Sequence, residues 1–294
     1  MTTPMEPPSK PSLPPLLEVR GLSRSFGGIH AVEELSFDVA QDGIMGLIGP
    51  NGAGKTTVFN LITGAYRPTA GTICLRGIDL TKKRPHEIVR AGVSRTFQNI
   101  RLFNRMTCLE NVMVPLLARG KSMLGTFFRT PFARGEEQRA RETALAVMKD
   151  VGLADAAHRV ASTLPYGLQR KLEIARALAC GFSGQGPSVQ GPSVQRPSAQ
   201  GPRLLLLDEP AAGMNDAETR ELGEVILKVQ KDFGVTMMLI EHHIELVMDI
   251  CTHVAVMDRG TLLAEGSPRD VRGDERVIAA YLGRPRARRE LERT

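Results

Sequence analysis

"GLIGPNGAGKTT", residues 46–57, decides the fold of this chain. Gly49 to Thr56 match G-x-x-x-x-G-K-[ST], preceded by the apolar run "GIMGLIG" and followed by a segment expected to turn helical near Gly54. Strand, glycine-rich loop and helix in that order form the context a phosphate-binding loop requires. Gly49, Pro50, Asn51, Gly52, Ala53, Gly54 and Thr57 are expected to form the cradle, its glycines letting backbone N–H groups wrap phosphate oxygens. Lys55 is expected to set a cation on the β- and γ-phosphates, and the Thr56 hydroxyl to ligate Mg²⁺.

A second stretch completes the chemistry. "LLLLDEP" (204–210) reads as a strand buried on both faces. It delivers Asp208 to its C-terminal end, where α/β folds bind ligands. Asp208 is expected as the outer partner of the Mg²⁺. Glu209 is then placed to orient and deprotonate an attacking water.

Outward from these motifs, strand-like runs alternate with helices. "LLEVRGLSRSF", "ELSFDVA", "TICLRG", "VSRTFQ" and "VTMMLIEHH" read as β, with helices around 86–90 and 216–232. The alternation predicts an α/β fold with a parallel sheet. Residues 107–160 are mostly helical in pattern and interrupt it, as a separate helical subdomain would. Residues 1–15 read as a disordered, proline-rich tail. "QGPSVQGPSVQRPSAQGP" (185–202) is a degenerate pentapeptide repeat that reads as a flexible loop, since its prolines forbid a regular helix.

Composition narrows the class. Of 294 residues 42% are apolar, enough for a large core, with 4% aromatics and no Trp. The last eleven residues, 284–294, carry five Arg against two Glu, half of the +6 net charge, so the balance does not call for nucleic acid. The four scattered Cys include no C-x-x-C, as in a reduced, cytosolic chain. No signal-peptide pattern opens the sequence, and no apolar run nears the ~18 residues of a membrane helix. A membrane role is therefore expected through a partner.

The order of the phosphate loop, "TFQ", a helical block, a glycine-led helix, "LLLLDEP" and "LIEH" resembles the ATP-binding cassette ATPases over residues 16–283. The resemblance implies a P-loop ATPase core with a parallel sheet, an antiparallel β subdomain and an inserted helical subdomain at about 99–165, with a flexible loop at 183–202. It implies ATP and Mg²⁺ as ligands. By position, Gln98 is similar to the glutamine that touches Mg²⁺ and carries movement to the helical subdomain. His242 is similar to the histidine that contacts the γ-phosphate; its neighbour His243 should face the other way. Phe26 is similar to the aromatic that stacks on adenine, with a place in the core as the alternative. "GMND" (213–216) resembles the D-loop.

"LPYGLQRKLEIARAL" (164–178) resembles the family's signature helix, which faces the nucleotide of a second cassette. Leu164 and Gly167 fit the pattern; Pro165, Tyr166 and Leu168 depart from it. Leu168, Leu172, Ala175 and Ala179 are expected to form its buried stripe. The aromatic Tyr166 before the surviving glycine, with "TFQNIRLFNRMTCLENV", "LEIARALA" and "LLLLDEPAAGMN", is similar to LivG-type subunits of branched-chain amino-acid importers. The repeat, and Asp216 where Pro is usual, depart from them.

That branch implies a hydrolytic subunit on the cytoplasmic face of the membrane. Its expected partners are transmembrane permease subunits, a related second cassette and, indirectly, an external substrate-binding protein. "KSMLGTFFRTPF" (121–132) is expected to help line the dock. Urea, amides or other amino acids stay open as cargo, and a soluble cassette ATPase is the alternative class.

Overall fold

Three apolar runs, far apart in sequence and adjacent in one sheet, build the centre of the molecule. The computed structural model describes residues 14–118, 131–181 and 203–281. The opening tail to residue 13, the 121–130 part of the expected dock, the 183–202 loop and the 284–294 tail lie outside them.

The first six elements are β1 (Leu17–Phe26), β2 (Ile29–Val39), β3 (Ile44–Ile48), α1 (Lys55–Ile62), β4 (Ala70–Leu75) and β5 (Ile78–Asp79). Then come α2 (Pro85–Ala91), β6 (Val93–Arg95), α3 (Cys108–Ala118), α4 (Pro131–Asp150), α5 (Tyr166–Ala179) and β7 (Leu204–Asp208). The chain continues through α6 (Asp216–Phe233), β8 (Thr236–Ile240), α7 (Ile244–Ile250), β9 (His253–Asp258), β10 (Thr261–Gly266), α8 (Pro268–Gly273) and α9 (Glu275–Tyr281).

Six strands form one sheet in the order β10-β9-β3-β8-β7-β6. Every pair in it is parallel except β9–β10, a hairpin turned on Arg259 and Gly260, both at positive φ as a two-residue turn of the primed type needs. All residues of β3, β7 and β8 are buried. This is why they read as continuous apolar runs rather than alternating ones. The period of two then divides them: Leu205 and Leu207 join the core shared with α3–α7, while Leu204 and Leu206 join the core under the second sheet.

That second sheet is antiparallel, β2-β1-β4-β5. Its wet face shows in β2, where buried Leu35, Phe37 and Val39 alternate with exposed Ser36 and Asp38. α/β core, antiparallel sheet and helical block are thus all present.

Two local readings change, and the helix expected from residue 216 gains its cap. The strand expected over "VSRTFQ" ends at Arg95, because only 93–95 pair with β7. The D-loop's last two residues form a helix start: Asn215 caps α6 by accepting from Glu218 N at 2.9 Å, which places Asp216 first in the helix. Pro favours that position for its fixed φ; an acid there gains from the helix dipole instead. The buried stripe of α5 is wider than expected. Leu172, Ala175 and Ala179 are buried and Leu168 half-buried, but Arg170, Lys171 and Glu173 are buried too.

Candidate active site

The loop between β3 and α1 can be built only with glycine at two points. A Cβ on Gly49 (φ +151) would meet the Met257 carbonyl oxygen at 2.1 Å, and one on Gly54 (φ +99) the Ala31 carbonyl oxygen at 2.3 Å. The loop therefore lies tight against β9 and β2. Lys55 opens α1 and is nearly buried, its Nζ donating to the carbonyl oxygens of Gly49 at 2.8 Å and Pro50 at 2.9 Å. Ala53 is buried beneath, bonded through its N–H to Pro50 O at 3.2 Å.

A cavity of about 440 Å³ opens over this loop. Asn51, Gly52, Gly54, Lys55, Thr56 and Thr57 supply one wall. Gln98, Glu209 and His242 supply the other, each from just beyond the C-terminal end of β6, β7 or β8. Residues 111 and 33 positions from Glu209 in sequence converge on its carboxylate. Gln98 Nε2 donates to Glu209 Oε2 at 2.7 Å, and His242 Nε2 lies 3.0 Å from Glu209 Oε1. Glu209 itself has φ 47, a left-handed backbone that side-chain-bearing residues rarely adopt. Such conformations store about 1–3 kcal/mol and persist only where the surroundings hold them. Here Glu209 N donates to Ile240 O at 2.9 Å and Glu209 O accepts from Ala212 N at 3.1 Å. His242 and His243 do part as expected, for only His242 reaches the carboxylate.

Asp208 is almost fully buried at the end of β7, paired with Arg95 at 2.7 Å. Arg95 Nη1 donates to Asn60 Oδ1 at 2.8 Å, and its guanidinium stands over the rings of Phe59 and Phe97 at 5.5 and 5.3 Å. Thr56 hydroxyl, Gln98 amide oxygen and Asp208 carboxylate are hard oxygen donors, the set that suits Mg²⁺. Among the described residues no group of three His, Cys, Asp or Glu is arranged to hold a metal alone. A cation here would complete its shell with phosphate and water oxygens.

Glu241, like Arg95, is a charged residue beside the site that sequence reading missed. Its Oε1 accepts from Ala211 N at 2.7 Å, and its Oε2 from His242 N at 2.9 Å and His243 N at 3.4 Å. The buried carboxylate thus ties the segment after Glu209 to the backbone of His242. Burial pushes its carboxyl up from the ordinary range, and the N–H bonds offset this only in part. The missed signals were local: a Glu ending the apolar run "VTMMLI", and an Arg between buried Ser94 and Thr96.

Not every expected residue gathers at the cavity. Phe26 is not among its lining residues; it is one-third exposed, edge-on to Tyr66 at 5.2 Å and beneath Arg24 at 4.5 Å. Its alternative place in the core is excluded by that exposure. Leu164 is buried, and Tyr166 and Gly167 open α5 away from the cavity lining.

Known proteins bear on this geometry. The family model described as "ABC transporter" matches residues 32–183, and one described as "Branched-chain amino acid ATP-binding cassette transporter" matches residues 261–287. The high-affinity branched-chain amino acid transport ATP-binding protein BraF of Pseudomonas aeruginosa is 43% identical over 92% of this chain and 98% of its own length. LivG of Salmonella typhimurium, with the same description, is 43% identical with the same coverage. The crystal structure of the ADP conformation of MJ1267, an ATP-binding cassette of an ABC transporter, superposes with a TM-score of 0.75 at 28% identity, covering 92% of this chain and all of that one. Phosphate loop, convergent strand ends, family model and relatives agree: this chain belongs to the ATP-binding cassette transporter family.

Proposed function

We propose that this chain is the ATP-hydrolysing subunit of an importer for branched-chain amino acids. The observation that carries the reading is the Glu209 carboxylate, held between Gln98 and His242 in the cavity over the phosphate loop. The relatives' names support the cargo.

In this reading Lys55 and the loop N–H groups bind the phosphates of ATP. Glu209 accepts a proton from water as the water oxygen bonds to the terminal phosphorus; the bond from that phosphorus to the bridging oxygen breaks, leaving ADP and phosphate. Each carboxylate oxygen has a second lone-pair direction for the water while keeping its bond to Gln98 or His242. His242 orients the carboxylate and faces the terminal phosphate. Thr56, Gln98 and Asp208 would hold Mg²⁺, which would supply positive charge against the phosphate oxygens.

Gly167 and the start of α5 face the nucleotide of a second, related cassette, so two chains close around two ATP molecules. Among the described residues no helix is long and apolar enough to cross a membrane. In this reading transmembrane permease subunits hold the chain at the cytoplasmic face, as the relatives' description as transport ATP-binding proteins supports, and an external binding protein selects the cargo. A gene deletion complemented with wild type or Glu209→Gln tests this through uptake of labelled leucine, isoleucine, valine and urea. Loss of uptake of the three branched-chain amino acids, restored only by wild type, is expected. Loss confined to urea would reassign the cargo, and unaltered uptake of all four would contradict the reading.

A further inference from the structure

Tyr166 replaces a glycine of the family's signature pattern, and the structure gives the replacement a task. Its hydroxyl donates to the carbonyl oxygen of Ala212 at 2.8 Å and accepts from Arg170 Nη2 at 2.7 Å and Nε at 3.1 Å. Its ring packs over Gly213, where a Cβ would stand 3.8 Å away. Arg170, one turn further along α5, is 2% exposed and turns its fork toward the segment after β6. Nη1 donates to Phe97 O at 2.9 Å, and Nη2 donates to Gln98 O. Glu173, 1% exposed, pairs with Arg170 Nη1 at 3.1 Å and accepts from Arg101 N at 3.1 Å.

Arg170 and Glu173 thus grip the backbone of 97–101 from both ends, Arg176 of the same helix also donates to Arg101 O, and the tyrosine grips 212–213. The guanidinium is a planar fork of fixed geometry, so its bonds cannot follow independent movements. Stretching them would strand a buried charge, which costs far more than moving the helix with the loop. The backbone of 97–101 carries Gln98, whose side chain is bonded to Glu209 in the cavity.

We propose that Tyr166, Arg170 and Glu173 are positioning residues that make the start of α5 move with the 97–101 segment. They extend to the first turn of α5 the movement that, by family resemblance, Gln98 passes to the helical block. This rests on the functional reading above, in which Gln98 meets the chain's own ATP and Gly167 the partner's.

Hydrogen exchange on the full chain, diluted until light scattering shows a monomer, tests the link without hydrolysis or a partner. The probe is adenylyl imidodiphosphate with Mg²⁺. In the unaltered chain the analogue should slow exchange both at 97–101 and at 166–170. In Arg170→Met/Glu173→Gln, which removes both members of the buried pair and leaves Arg176 bonded to Arg101 O, the effect at 97–101 should persist while that at 166–170 falls by about fivefold or more, the lower end of typical coupling between sites. Tyr166→Phe removes only the hydroxyl and should reduce the effect at 166–170 in the same direction. It carries the test if the double variant does not fold. Equal slowing at 166–170 in unaltered and variant chains would overturn the link. No slowing at 97–101 in the unaltered chain would instead overturn the reading of the site, and the link with it.

Discussion

Arg95 Nη2 lies 2.7 Å from Asp208 Oδ2, with the two side chains 7% and 4% exposed. The pair joins the end of β6 to the end of β7 inside the core, so removing the cation strands a carboxylate away from water. Arg95→Met should destabilise the chain by about 3–5 kcal/mol. Arg95→Met/Asp208→Asn should recover most of that loss, since no charge is left unpaired. Urea unfolding of the single and double variants checks this; a single variant as stable as wild type would refute it.

Glu241 makes stability depend on pH. Its folded carboxyl titrates above the ordinary value of about 4.3. The folded chain therefore binds the proton more tightly than the unfolded one, and this group's contribution falls as pH rises through that interval. Glu241→Gln removes the titration and replaces one acceptor oxygen with an NH2 donor that faces a backbone N–H. The variant should be less stable by about 1–3 kcal/mol, the cost of an unsatisfied buried group. Its deficit against wild type should be larger at pH 5 than at pH 8. Unfolding curves at both values decide this, and a deficit that grows with pH would contradict it.

The phosphate loop tolerates no side chain at Gly49, where a Cβ would lie 2.1 Å from Met257 O and φ is +151. Gly49→Ala must move either the loop or β9. The strain should cost at least about 1–3 kcal/mol, and calorimetry should find ATP binding lost. Retained wild-type affinity would mean that the loop has another way to close.

How much of this was legible in sequence follows from how far apart the partners are. The loop at 49–57 carries its own geometry in its glycines, and Leu204–Leu207 carry theirs in an unbroken apolar run, so both read without a structure. Residue order along a resembling family supplied Gln98 and His242, but not that both would reach one carboxylate. Arg95 looked like a strand residue, because its partner Asp208 stands 113 positions away. The α5 periodicity hid Arg170 and Glu173: charged residues normally mark the wet face of a helix. Here their charges are met by Phe97, Gln98 and Arg101 backbone groups that only the tertiary fold brings near. Asp216 showed as a departure from pattern, and its place as first helical residue explains why an acid serves.

In the proposed hydrolysis Glu209 takes the proton from the attacking water. Phosphate release by the assembled transporter, measured for wild type and Glu209→Gln with ATP affinity followed in parallel, tests it most directly. Glu209→Gln should reduce hydrolysis by about 10²–10⁴-fold, with ATP affinity retained because Lys55 and the loop are untouched. Hydrolysis by Glu209→Gln at a rate near that of wild type would contradict it.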